Sequence, residues 1–180
     1  MTSQASPKAQ PQPLYIMAKP TAAARTKIEN LRRELGISAS YDPQRFHATL
    51  APLGDGRDLP QPLFDLIRVA GGSLSAEPFD VAFDRVQGNA LVGGKALGEL
   101  RSFQKNLVDR LTAFCLFVPE YDFHPHISLT YGAYRERNVT LPPIRWTVEE
   151  ILLVRSIHGE GRHEMLHRWP LIRKQDSFDF

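Results

Sequence analysis

A histidine followed two residues later by a hydroxyl and then by leucine occurs twice in this chain, each time in a short apolar run. The runs are Phe46-His47-Ala48-Thr49-Leu50 and Pro125-His126-Ile127-Ser128-Leu129. Side chains at i and i+2 of a strand share a face. His47 and Thr49 therefore project together, with Phe46, Ala48 and Leu50 on the opposite side. His126 and Ser128 project together with Thr130 next in line, and Ile127 and Leu129 lie behind them. Each run also follows an amphipathic helix, over 21–35 and 95–113. One helix and one such strand per half predicts two pseudo-symmetric lobes whose imidazoles face each other across a groove.

The remaining pattern fills in the lobes. Leu14-Tyr15-Ile16-Met17-Ala18 reads as a first strand stopped by Pro20. In the helix over 21–35, Ala24, Ile28, Leu31 and Leu35 form the apolar stripe and Gly36 the stop. Strand 46–51 follows, then a helix over 60–70 with Leu63, Leu66, Ile67 and Ala70 inward, closed by Gly71-Gly72. Residues 79–86, Gln87-Gly88-Asn89 and 90–92 read as a hairpin. The longest helix, 95–113, carries Leu97, Leu100, Leu107 and Leu111 on one side. Strands are expected over Phe123–Tyr131, 144–157 and 163–172. Helix and strand mix without steady alternation, which predicts an α+β fold with antiparallel sheets.

Composition sets outer bounds. A 42% hydrophobic content is enough for a core, and no run reaches the roughly 20 apolar residues of a membrane helix. Residues 1–12 are expected to be a disordered lead-in, without the basic and apolar segments of a secretory signal, and 13–180 a single bilobal domain. A net charge of +2 argues against coating long nucleic acid by charge alone. The single cysteine, Cys115, permits no internal disulfide or thiolate cluster and is read as a buried small hydrophobe, in keeping with a cytoplasmic protein. A monomer without cofactor is expected. Gly93-Gly94-Lys95 lacks the full phosphate-loop pattern and reads as a turn before a helix.

Two opposed imidazoles, each beside a hydroxyl, suit phosphodiester hydrolysis. One group must take a proton from water and another must protonate the departing oxygen on the far side of phosphorus. Histidine titrates near 6.5, so one ring can be neutral while the other is charged. Thr49 and Ser128 can donate to the phosphoryl oxygens. The scheme requires no metal. His124 and His126, with His47, could suggest a metal pair, but Pro125 between them and the lack of a carboxylate cluster speak against it.

The paired His-x-(Thr/Ser) motifs resemble the signature of the two-histidine (2H) phosphoesterases. The flanks Phe46–Leu50 and Phe123–Leu129, the segment Glu150–Ser156, and then Gly161 and Leu166 resemble the family's LigT branch, the 2'-5' RNA ligase-like or RNA 2',3'-cyclic phosphodiesterase group. The resemblance covers roughly residues 14–172. It implies two α+β lobes around a cleft and opening of 2',3'-cyclic phosphates on RNA 3' ends or nucleotides to 2'-phosphates. It implies His47 as acid and His126 as base, although a pseudo-symmetric site permits the swap. A cyclic phosphate of ADP-ribose, reversible 2'-5' RNA joining and a non-catalytic RNA-end module are the alternatives. Three departures stand out: Ser128 where threonine is commoner, Thr130-Tyr131 where many relatives carry arginine, and His163 where relatives often have tyrosine.

Lys19, Arg45, Arg155 and Tyr131 are candidate substrate contacts, each with a surface charge or core-edge tyrosine as the alternative. Phe123 and Tyr15 could stack a base or simply pack in the core. Trp146 and Trp169 read as core. His158, His163 and His167 read as structural.

Overall fold

The computed structural model describes residues 11–157 and 161–173; most of the expected lead-in, and His158, lie outside them. The chain runs through β1 (Pro13–Ala18), α1 (Ala22–Glu34), β2 (Ala48–Asp55), α2 (Gln61–Gly72), β3 (Phe79–Gln87), β4 (Ala90–Val92), α3 (Gly98–Ala113), β5 (His126–Ser128), β6 (Asn138–Val148), β7 (Glu150–Ile157) and β8 (Arg162–Pro170). The fold class is α+β, as expected. No helix among the described residues is long and apolar enough to cross a membrane.

Local chemistry explains the helix ends. Thr21 caps α1 by accepting from the Ala24 amide at 3.3 Å. At the far end Gly36 turns left-handed at φ +60°, and the Ile37 amide donates back to the Arg32 carbonyl at 2.9 Å. α3 ends the same way, but Cys115 takes the glycine's role at φ +58° while the Leu116 amide donates to the Leu111 carbonyl at 3.1 Å. Cys115 is consequently exposed rather than buried, because the left-handed cap turns it outward while Leu116 faces in.

Two four-stranded antiparallel sheets result, in the orders β2-β1-β7-β8 and β5-β4-β3-β6. Three expectations change. The strand expected over 144–157 is two strands in different sheets: β6 pairs with β3, β7 pairs with β1 and β8, and only Glu149 separates them. The strand expected over Phe123–Tyr131 shrinks to His126–Ser128, because its one neighbour, β4, offers three residues to pair with. In α2 the buried face is Ile67, Ala70 and Gly71, whereas Leu63 and Leu66 are exposed. Gly71 lies against Trp169 so closely that an added Cβ would stand 2.6 Å from the indole, and this approach sets which face turns inward.

The main apolar core runs through both sheets, joining Leu14, Ile16 and Leu50 to Val81, Phe83, Leu91 and Ile127, with Ile28, Leu100 and Leu107 from the helices, and a small separate cluster gathers Met17, Leu152 and Val154. Trp146 stacks on Phe83 at 5.2 Å, and both tryptophans are buried. The lobes also exchange hydrogen bonds. From α1, the buried Arg32 donates to the Leu129 carbonyl at 3.3 Å, just past β5. From α3, Gln104 donates to the Leu50 carbonyl of β2 at 3.2 Å. β2 and β5 are sheet edges, so these bonds satisfy carbonyls that no neighbouring strand could reach.

Candidate active site

His47 immediately precedes β2, and its position is set from both sides. Behind it, Phe46 is fully buried. Before it, Asp42-Pro43 opens a 3-10 turn over Pro43–Arg45, capped by Asp42 accepting from the Gln44 amide at 2.8 Å. The Arg45 carbonyl that ends this turn lies 2.6 Å from His47 Nδ1. His126 opens β5 opposite Val92, and its Nδ1 lies 2.8 Å from the His124 carbonyl. Each histidine is thus anchored to the carbonyl two residues before it. A carbonyl only accepts, so Nδ1 carries the hydrogen in both rings and Nε2 is left for chemistry. β2 and β5 approach each other, and His126 is close enough to act on the charge of His47.

A cavity of about 550 Å³ opens beside His47, lined by Tyr15, Arg45, Thr49, Tyr131, Gly161 and His163 among others. It brings together five residues singled out from the sequence: His47, Thr49, Arg45, Tyr131 and Tyr15. His126 and Ser128 are not in its lining; His126 is exposed and Ser128 half-buried on the facing edge. The Arg45 guanidinium lies 4.8 Å from the centre of the Tyr41 ring, and its buried Nε has no hydrogen-bond partner among the described residues. Tyr131 packs edge-on to Tyr41 at 5.0 Å.

Other candidates lie elsewhere. Lys19 donates to the Gln44 carbonyl at 3.0 Å and lines an adjacent cavity of about 630 Å³ with Arg25, Leu152, Met165 and Arg168. Arg155 is held by Glu164 through Nε and Nη2, at 3.0 and 2.8 Å, and by the Gly56 carbonyl at 3.0 Å. Phe123 packs against the core and edge-on to Tyr121. His124 turns to Asp122 at 2.8 Å. Among the described residues, no three His, Cys, Asp or Glu side chains lie together as metal ligands would. His167 packs edge-on to Trp169 at 4.9 Å.

His163, read as structural, instead lines the cavity with its ring centre 5.1 Å from that of His47. Its place in β8, far along the chain from both motifs, carries no local signal of this. Its departure from the tyrosine common in relatives is the only hint the sequence contains.

Burial governs the charge of the two imidazoles that line the cavity, His47 and His163. Burial lowers the His47 pKa to about 4; the Arg45 carbonyl opposes this, while Lys19, Arg45 and His126 add to it. Burial lowers His163 to about 3, assisted by His47, Lys19 and Arg45 and opposed by Asp42. Lys19 is also lowered by burial, and Tyr41 is raised by burial and by Tyr131. The cavity therefore holds neutral imidazoles beside cations, an arrangement that favours the arrival of an anion.

A histidine just before edge strand β2 and another opening edge strand β5, on a two-lobed α+β scaffold, match the pattern of the two-histidine phosphoesterases. A family model described as the 2'-5' RNA ligase superfamily matches residues 19–160, and the chain belongs to that superfamily, whose members act on phosphodiester bonds. Crystal structures share the fold. Escherichia coli LigT complexed with 3'-AMP is 22% identical with a TM-score of 0.69, the match covering 91% of this chain and 100% of LigT. A structure described as a phosphoesterase is 23% identical with a TM-score of 0.72 over 91% and 100% of the two chains. A protein of Thermus thermophilus is 18% identical with a TM-score of 0.64 over 88% and 97%. No curated protein sequence matches the chain.

Proposed function

We propose that this protein is a metal-independent cyclic phosphodiesterase that opens 2',3'-cyclic phosphates of RNA 3' ends or nucleotides to 2'-phosphates. The observation that carries the reading is the twin anchoring of His47 and His126, with Nδ1 tied to a backbone carbonyl and Nε2 left for chemistry in each. In this scheme His126 Nε2 takes a proton from water as the oxygen attacks phosphorus. The bond from phosphorus to the 3' oxygen breaks, and His47 Nε2–H protonates that oxygen as it leaves. Thr49, Ser128 and Arg45 hold the phosphoryl oxygens, and Tyr131 and Tyr15 border the space for the nucleoside. His47 is neutral in the free protein, so it must take up its proton as the phosphate anion arrives and offsets Lys19 and Arg45.

The test is hydrolysis of the four nucleoside 2',3'-cyclic phosphates in EDTA by wild type and His126→Ala, with product read by phosphorus NMR. Turnover that survives EDTA, collapses in the variant and yields 2'-phosphate is expected. No turnover by wild type on these substrates or on an RNA bearing the same end would refute the reading. The superfamily's name favours a second reading, cleavage and reversible joining of 2',5' linkages by the same pair, because joining is the reverse of that cleavage. Incubation with a 2',5'-linked dinucleotide separates the two.

A further inference from the structure

β8 lies at the opposite edge of its sheet from β2, yet its beginning closes on the segment in front of β2. An added Cβ at Gly161 would stand 3.4 Å from Arg45 Nη1. Two residues on, the His163 ring meets the His47 ring edge-on, with centres 5.1 Å apart and planes at 74°. His126 shares the Nδ1 anchor of His47 but has no ring contact among the described residues.

The difference matters mechanically. A single hydrogen bond at Nδ1 restrains rotation of the imidazole about its Cβ–Cγ bond, but one bond bends easily and leaves the ring a residual swing about that axis. A second ring packed at an angle removes the swing. The second ring must also be neutral, because a cation there would repel a protonated His47. The surroundings of His163 favour the neutral form: it is buried, and His47, Lys19 and Arg45 act against a positive charge while Asp42 alone favours one.

We infer that His163 is a positioning residue, whose ring holds the His47 imidazole in the plane that keeps Nε2 aimed into the cleft. This rests on the acid role proposed for His47. Its test therefore has one readout that needs no turnover.

The two readouts, on the full chain, are the His47 Nδ1 proton by NMR and kcat and KM on a nucleoside 2',3'-cyclic phosphate. His163→Ala should broaden the His47 Nδ1 proton signal through faster exchange. It should lower kcat by roughly 10-fold or more, since small misplacements of a catalytic group are costly. KM should stay within about threefold, because binding is not what is lost. His163→Gln, which keeps polarity but not the ring, should match His163→Ala and serves if the alanine variant does not fold. His163→Phe should restore both the NMR signal and kcat. The inference is overturned by an unchanged His47 signal in the ring-less variants, by a phenylalanine variant as impaired as alanine, or by a loss confined to KM. The last would make His163 a substrate contact. Should wild type show no turnover, the proposed reaction fails and the NMR comparison alone decides the positioning role.

Discussion

Because Arg45 and His124 present carbonyls to the two histidines, both rings hold the same tautomer in different surroundings. Removing either imidazole, as in His47→Ala or His126→Ala, should lower kcat about 10²–10⁴-fold, the range for general acid–base catalysis. The buried ring should also make anion binding pH-dependent. An anion raises the proton affinity of His47 from its value of about 4 in the free protein, so above that pH binding takes up a proton. Affinity for sulfate, an anion that does not itself titrate in this range, should thus rise as pH falls toward 5, and calorimetry in buffers of different ionisation enthalpy should register the uptake. Stability moves the other way. With folded pKa values of about 4 and 3, His47 and His163 contribute fully above the ordinary histidine value of 6.5. That contribution is lost as pH falls from 6.5 through those values, because the unfolded chain binds the extra protons. Melting temperature should fall over this window, and less steeply in His163→Phe. Of the residues around His47, Thr49 and Arg45 were legible because they lie within two positions of it. Tyr15, Tyr131 and His163 reach the cavity from other strands and loops: the sequence singles out Tyr15 for its aromatic ring and Tyr131 as a substrate contact, whereas His163 reads as structural.

Gly71 shows an element working against its own propensity. Glycine inside a helix ordinarily costs roughly 1 kcal/mol relative to alanine. Here an alanine Cβ would stand 2.6 Å from the Trp169 ring. Gly71→Ala should therefore destabilise the protein, by about 1–3 kcal/mol from overpacking, as read by urea denaturation. Cys115→Gly should act oppositely and stabilise by roughly 0.5–1 kcal/mol, since the left-handed cap favours glycine. The elements that periodicity and turn chemistry identified were those whose signal is local: α1, α3, and the β3–β4 hairpin with its Gly88-Asn89 turn. The strand pair β6–β7 was missed as a pair because no glycine or proline marks the break. The signal was a change of parity. Ile144, Trp146 and Val148 face the core on even positions, and Ile151 and Leu153 on odd ones. The α2 stripe was misassigned because Leu63 and Leu66 are as apolar as the residues inside, and only the close approach to Trp169 chooses between the faces.

Across the whole molecule the two lobes are matched in more than their motifs. α1 and α3 end in the same left-handed cap, and each helix donates a side-chain hydrogen bond to the carbonyl three residues beyond the other lobe's histidine, at Leu129 and Leu50. Arg32 is buried and also pairs with Glu29. Arg32→Ala would strand that carboxylate and should cost about 3–5 kcal/mol, as breaking a buried pair does. Gln104→Leu, which removes a neutral bond, should cost about 1 kcal/mol. The internal repeat was legible from the two motifs alone. The reciprocal bonds were not, because arginine and glutamine on a helix ordinarily face solvent. The passage from β6 to β7 through the single residue Glu149 has a further consequence. One ribbon of chain is woven into both sheets, so the molecule resembles a fixed gauge more than a pair of hinged jaws. On the proposed reading, a phosphate would have to fit the spacing between β2 and β5 set by that shared ribbon, and the protein would choose among substrates by the width of what enters.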